Sequence, residues 1–194
     1  FLGDGTGKFT QKTRFSTAAN GRGLDVADFN EDGNLDFVRA TYGAGDVYLY
    51  LGDGTGNFAA GTLAIDLPGG DPYGVAAGDF DGDGHNDVIM NNGGSGDTTF
   101  YKGNGDATFA AGVAVPSLDV NNHGSFDAWD YNGDSKLDIV IANYSGRSIW
   151  FFPGNGDATF DAGVQLNLDS NAAVSLTIDN VLSLAAPPLP PLAG

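Results

Sequence analysis

Oxygen-bearing side chains recur at alternate positions in three nine-residue stretches, and this pattern defines the chemistry the chain can offer. In DFNEDGNLD, positions 1, 3, 5 and 9 are Asp28, Asn30, Asp32 and Asp36, and Asn34 at position 7 supplies a backbone carbonyl. In DFDGDGHND the same places are Asp79, Asp81, Asp83 and Asp87, with the carbonyl of His85. In DYNGDSKLD they are Asp130, Asn132, Asp134 and Asp138, with the carbonyl of Lys136. Odd-numbered side chains of a tightly curled loop point inward, so each loop can gather about six hard oxygens around one ion, a set that suits calcium. Magnesium prefers a stricter octahedron with several waters. Zinc and copper would call on His or Cys side chains, whereas His85 is read through its carbonyl. The sequence therefore predicts about three calcium sites.

Glycine at position 6, Gly33 and Gly84, permits the sharp turn such a loop needs. The loops are nonetheless not EF-hands: the twelfth position holds Arg39, Met90 or Ile141 in place of a bidentate glutamate. Apolar strand residues such as Leu137, Ile139 and Val140 follow where a helix would begin. In the third loop Ser135 replaces the glycine, so a left-handed backbone there costs about 1 kcal/mol and weakens the site. Plain Asx turns offer a metal-free reading of Asp/Asn/Gly clusters. Against it stand ten carboxylates in three loops in register, which repel one another unless a cation neutralises them. Only Glu31 among the 25 acidic residues is a glutamate, a bias toward the short carboxylate that fits a tight turn.

The loops begin at 28, 79 and 130, a period of 51 residues. A second marker keeps step with them: GDGTGKF at 3–9, GDGTGNF at 52–58, and GNGDATF at 103–109 and 154–160. Periods of this length belong to solenoids and propellers, whose units bury their faces only on their neighbours. Four short strands fit in each period; in the middle unit they are expected at 73–79, 87–91, 98–102 and 109–115, with Gly/Asn/Asp turns between. The fold class that follows is all-β, a β-propeller (fragment) of four-stranded antiparallel blades with a 51-residue repeat. Blades are expected at about 22–66, 72–116 and 123–168, with a partial blade at 1–21 and a degenerate one at 173–184 that lacks an acidic loop. Residues 185–194, AAPPLPPLAG, read as a proline-rich tail or linker.

The wider composition of the 194 residues agrees with this. The chain is 41% apolar and 11% aromatic, enough for a core, and its 31 glycines among short apolar runs favour turns joining strands. A net charge of −17 with 8 scattered basic residues excludes a phosphate-backbone footprint and disfavours anionic membranes, so neither nucleic acid nor membrane insertion is expected. There is no cysteine, so no disulfide can staple the fold. The first residues, Phe1-Leu2-Gly3-Asp4, read as an internal cut.

G-D-F-D-G-D-G-x-x-D-V followed by a G-x-G-x-x-x-F turn resembles the FG-GAP-like (VCBS) repeat, over about residues 1–168. The resemblance implies integrin α-type blades whose calcium loop joins the first two strands, in proteins that are mostly secreted or on the cell surface. Relatives close rings of about seven blades, which leaves open ends to be met by further blades of a longer chain, by a ring of four, or by self-assembly. The function expected is a binding or adhesion scaffold with structural calcium and an unknown protein or glycan ligand. The alternative is a lectin that uses Tyr73, Trp129, Tyr144 or Trp150, although aromatics at strand positions mostly fill a blade's interior. An enzyme, such as part of a polysaccharide-degrading protein, is not expected, because the carboxylates are committed to the loops and no nucleophile elbow is present. His85 and His123 lie in turns, and the sequon-like Asn143-Tyr144-Ser145 is given no role.

Overall fold

The computed structural model describes residues 2–3, 5–11, 17, 20–43, 45–67, 70–93, 96–118, 124–143 and 148–167. The stretches 173–184 and 185–194, His123 and Tyr144 lie outside them.

Short runs, many of them rich in β-branched and aromatic residues, form the strands, and Gly, Asn and Asp crowd the turns between them. A two-stranded ribbon, β1 (Leu2–Gly3) with β2 (Phe9–Thr10), precedes three four-stranded sheets. The first sheet holds β3 (Gly21–Ala27), β4 (Asp36–Thr41), β5 (Asp46–Tyr50) and β6 (Thr62–Asp66) in that order. The second holds β7 (Pro72–Gly78), β8 (Asp87–Asn92), β9 (Thr98–Tyr101) and β10 (Val113–Ala114). A 3-10 turn at Pro116–Leu118 leads toward the third, made of β11 (Gly124–Trp129), β12 (Asp138–Asn143), β13 (Ser148–Phe152) and β14 (Val164–Asn167). Every pairing is between sequence neighbours and antiparallel, the arrangement of a propeller blade.

The fourth strand of the middle blade is shorter than the 109–115 expected. Phe109 instead forms an isolated bridge with Gly103, as Phe58 does with Gly52 and Phe160 with Gly154. The G-x-G-x-x-x-F marker is therefore a small closed turn, and the outer strand starts only after it.

The cores lie between sheets rather than within one. Val38, Ala40, Val47 and Leu49 of the first blade pack on Val75, Val88, Met90 and Tyr101 of the second. Ala76, Ile89 and Phe100 of the second pack on Ile139, Ile141 and Phe152 of the third. Successive side chains of a strand point to opposite faces, so β8 sends Val88 and Met90 to one neighbour and Ile89 to the other. This explains its unbroken apolar run, which a sheet with one wet face would have interrupted.

Candidate metal centres

Each acidic loop joins the first strand of its blade to the second, β3 to β4, β7 to β8 and β11 to β12. The first aspartate shapes the turn by accepting backbone N–H groups from inside the loop. Asp79 Oδ1 accepts from Gly82 at 2.8 Å and Asp83 at 3.1 Å, and its Oδ2 accepts from Gly84 at 2.9 Å. Asp130 repeats this with Gly133, Asp134 and Ser135, and Asp28 with Asp32 and Gly33. The fifth-position carboxylates accept from the seventh residue: Asp32 from Asn34, Asp83 from His85 and Asp134 from Lys136, at 2.8 to 2.9 Å. For Asp32 that amide, helped by the Asn30 side chain, holds the carboxyl below its ordinary range.

The ninth-position aspartates are more deeply placed. Asp36, Asp87 and Asp138 are each 0% exposed. Their Oδ2 atoms accept the N–H of Phe29, Phe80 and Tyr131 inside the loop. Their Oδ1 atoms accept the N–H of Gly52, Gly103 and Gly154, the first glycine of the marker turn. Each therefore ties the acidic loop to the marker. Desolvation outweighs these bonds and pushes Asp87 up to about 6, and it raises Asp138 in the same direction. A buried carboxylate held upward in this way gains from a cation beside it.

In the second loop one ligand oxygen from each of Asp79, Asp81 and Asp87 falls within 4.8 Å of the others. Lys102, just after β9, reaches over the same loop; its Nζ contacts Asp81 Oδ2 and lies 2.6 Å from Asp83 Oδ2. The loop thus already gathers a positive charge on its carboxylates. The donor set throughout is hard oxygen, so the residues fit calcium. In the first and third loops the third-position amides face the fifth-position carboxylates, Asn30 Nδ2 to Asp32 at 3.0 Å and Asn132 Nδ2 to Asp134 at 3.2 Å.

The seventh residue, assigned from sequence to a carbonyl role, also uses its side chain. Asn34, His85 and Lys136 lie over Gly54, Gly105 and Gly156, the second glycine of each marker turn, where an added methyl group would clash with Asn34 and His85 and press on Lys136. His85 Nδ1 additionally contacts Glu31 Oε1 of the preceding blade, and Glu31 raises the imidazole's affinity for its proton. Asn86 Nδ2 donates to the Asp28 carbonyl at 2.7 Å, so the second loop is also fastened to the first. Sequence reasoning missed Lys102, Glu31 and Asn86 as partners of the loops, because none repeats with the 51-residue period.

A profile of the FG-GAP-like repeat matches residues 1–39, 28–90 and 79–141, successive segments that overlap across an acidic loop. The chain belongs to the FG-GAP-like repeat family. No curated protein matches it. Among solved structures, a lectin from Agrocybe aegerita, described for its specific recognition of non-reducing terminal N-acetylglucosamine, is similar. Its TM-score is 0.53 at 22% identity, covering 75% of this chain and 38% of that one. A Tc holotoxin pore from Photorhabdus luminescens is similar at a TM-score of 0.42 and 16% identity, covering 82% of this chain and 10% of that one. The FG-GAP-like chain thus spans well under two thirds of either. The likeness to the lectin is one of fold, and it agrees with the three propeller blades.

Of the aromatic residues considered for stacking, Tyr73 has the Arg22 guanidinium over its ring at 4.9 Å and the Tyr42 ring edge-on at 5.7 Å. Trp150 stacks on Phe152 with centroids 5.9 Å apart, against the second core. Trp129, at the end of β11 beside the third FG-GAP-like loop, is 67% exposed. Among the described residues no helix is long and apolar enough to cross a membrane.

Proposed function

We propose that this run of FG-GAP-like blades is a calcium-binding module of an extracellular protein, in which calcium is structural and the blades form a scaffold for binding or adhesion. The observation that carries the reading is the second loop, where Asp79, Asp81 and Asp87 converge within 4.8 Å on a turn already curled by its own carboxylates. Asp28, Asn30, Asp32 and Asp36 would hold the ion in the first loop, and Asp130, Asn132, Asp134 and Asp138 in the third. Calcium bound there would neutralise carboxylates that otherwise repel one another. The residues' own contribution is to fix the loop between two strands and against the marker turn. A site with Kd ~0.2 mM in ~2 mM extracellular calcium adds on the order of 1.4 kcal/mol by mass action. Three such sites together approach a domain's net stability.

The chain is proposed to be non-enzymatic, because its loop carboxylates are engaged by backbone amides. A second reading, glycan binding, is favoured by one feature: Trp129 presents an open indole, the kind of surface on which a sugar ring stacks. A glycan array that returned no hit with the folded chain would remove it.

The test of the main reading is a thermal melt of the full chain in millimolar calcium, in magnesium and in EDTA. A rise in Tm selective for calcium is expected. Identical melts in calcium and EDTA would reduce the loops to plain Asx turns.

A further inference from the structure

The three loops differ at one side-chain ligand position, and the difference is matched elsewhere in the same blade. Position 3 is Asn30 in the first loop, Asp81 in the second and Asn132 in the third. The residue following the third strand is Leu51 in the first blade, Lys102 in the second and Pro153 in the third. The blade with the extra aspartate is thus the blade with the lysine. Lys102 Nζ contacts Asp81 and lies 2.6 Å from Asp83, with its side chain 40% exposed and that of Asp81 17% exposed. The formal charge of the four ligand side chains plus this residue is then the same, −3, in every blade: three carboxylates in the first and third, four carboxylates and one ammonium in the second.

We propose that Lys102 is a tethered counter-ion of the second loop, which occupies the Asp81 and Asp83 carboxylates when calcium is scarce and must withdraw from them when calcium binds. The proposal rests on the calcium reading above and deepens it: Lys102 lowers the affinity of the second site while holding Asp81 and Asp83 together without metal. An isolated fourth carboxylate would otherwise make this loop the tightest of the three, because ligand charge tunes affinity in oxygen-donor loops. Lys102 brings it back toward the others, and the blades then respond over a similar range of calcium.

The test is a site-resolved calcium titration of the full chain by NMR, following the backbone amides of Gly33, Gly84 and Ser135, one in each loop. Lys102→Leu, the residue of the first blade, should move the Gly84 midpoint to about 5- to 10-fold lower calcium and leave Gly33 and Ser135 in place. The same variant should melt earlier in EDTA. Lys102→Arg, which keeps the charge, should stay near the wild-type midpoint, and Lys102→Gln should follow Lys102→Leu even if leucine perturbs the fold. Asp81→Asn combined with Lys102→Leu should return the Gly84 midpoint to that of the parent chain within about twofold, since the charge is again −3. An unchanged or higher Gly84 midpoint in both Lys102→Leu and Lys102→Gln, with Gly84 still responding to calcium, overturns the proposal alone. No response at any of the three amides overturns the calcium reading and the proposal together.

Discussion

Asp36 serves two backbone amides from a fully buried position, one in its own loop and one in the marker turn. Its worth can therefore be separated from metal binding. Asp36→Ala leaves both donors without an acceptor, at about 1–3 kcal/mol each for a buried group. Denaturant unfolding in EDTA should show a loss of about 2–6 kcal/mol; an unchanged midpoint there would assign the residue to the metal alone. Asp25 makes a second case at this scale. It accepts the Ala77 N–H of the next blade at 2.7 Å, yet burial raises its pKa above 3.8 despite that bond, and the charge of Asp127 adds to the rise. A carboxyl with a raised folded pKa stabilises fully below its unfolded value, near 4. That contribution is lost as pH rises through the folded pKa. The decline of stability in EDTA from pH 4 toward neutrality should accordingly be shallower in Asp25→Asn than in the parent chain. An equal slope would mean that Asp25 titrates alike in both states.

At the scale of elements, the turns carry left-handed residues whose cost differs with what their side chains touch. Position 6 is left-handed in all three loops, Gly33 at φ 87°, Gly84 at 93° and Ser135 at 69°. Position 4 is left-handed as well, in Glu31 at 57°, Gly82 at 77° and Gly133 at 82°. The first loop thus carries one strained non-glycine residue just as the third does, so the backbone strain foreseen for the third loop alone is shared by the first. Ser135 is exposed, so Ser135→Gly removes strain without losing packing and should stabilise by up to ~1 kcal/mol. Ala107 and Ala158, left-handed at 66° and 61°, are different. Each donates its N–H to the preceding blade, to Phe29 and Phe80, and packs its methyl against an inter-blade core. Relief of about 1 kcal/mol of strain in Ala107→Gly is offset by about 0.8 kcal/mol of lost methyl burial, so its Tm should barely move. A marked gain from Ala107→Gly would show that the methyl contributes little to the inter-blade core.

Across the whole molecule, the blades are joined at three depths. Innermost, the first strands approach backbone to backbone: a Cβ on Gly23 would lie 2.8 Å from the Tyr73 carbonyl, and one on Gly74 would lie 2.6 Å from that of Gly124. Between the sheets sit the two apolar cores, and nearer the loops run the Ala107 and Ala158 amides and the Glu31–His85 contact. Because the obstacle at Gly74 is main chain, Gly74→Ala must part the second and third blades and should cost more than about 2 kcal/mol in unfolding experiments. A cost below 0.5 kcal/mol would mean that the inner strands slide freely.

Periodicity and the turn residues between short strands were enough to read the repeat and its four-stranded antiparallel unit, because a propeller's contacts are local and each loop is a short run of consecutive residues. The curl of the acidic loops was legible for the same reason: Asp28, Asp79 and Asp130 shape them through amides at most five residues away. The short fourth strand escaped notice because Phe109 looks like a strand residue, and only its bridge to Gly103 shows it closing a turn. Tertiary structure also decided that Asp36, Asp87 and Asp138 brace the marker turn across 16 residues, and that His85 meets Glu31 of another blade. The pairing of Lys102 with Asp81 was settled there too. These contacts link groups far apart in the chain, and an extra charge in one copy of a repeat acquires meaning only when folding brings the opposite charge beside it.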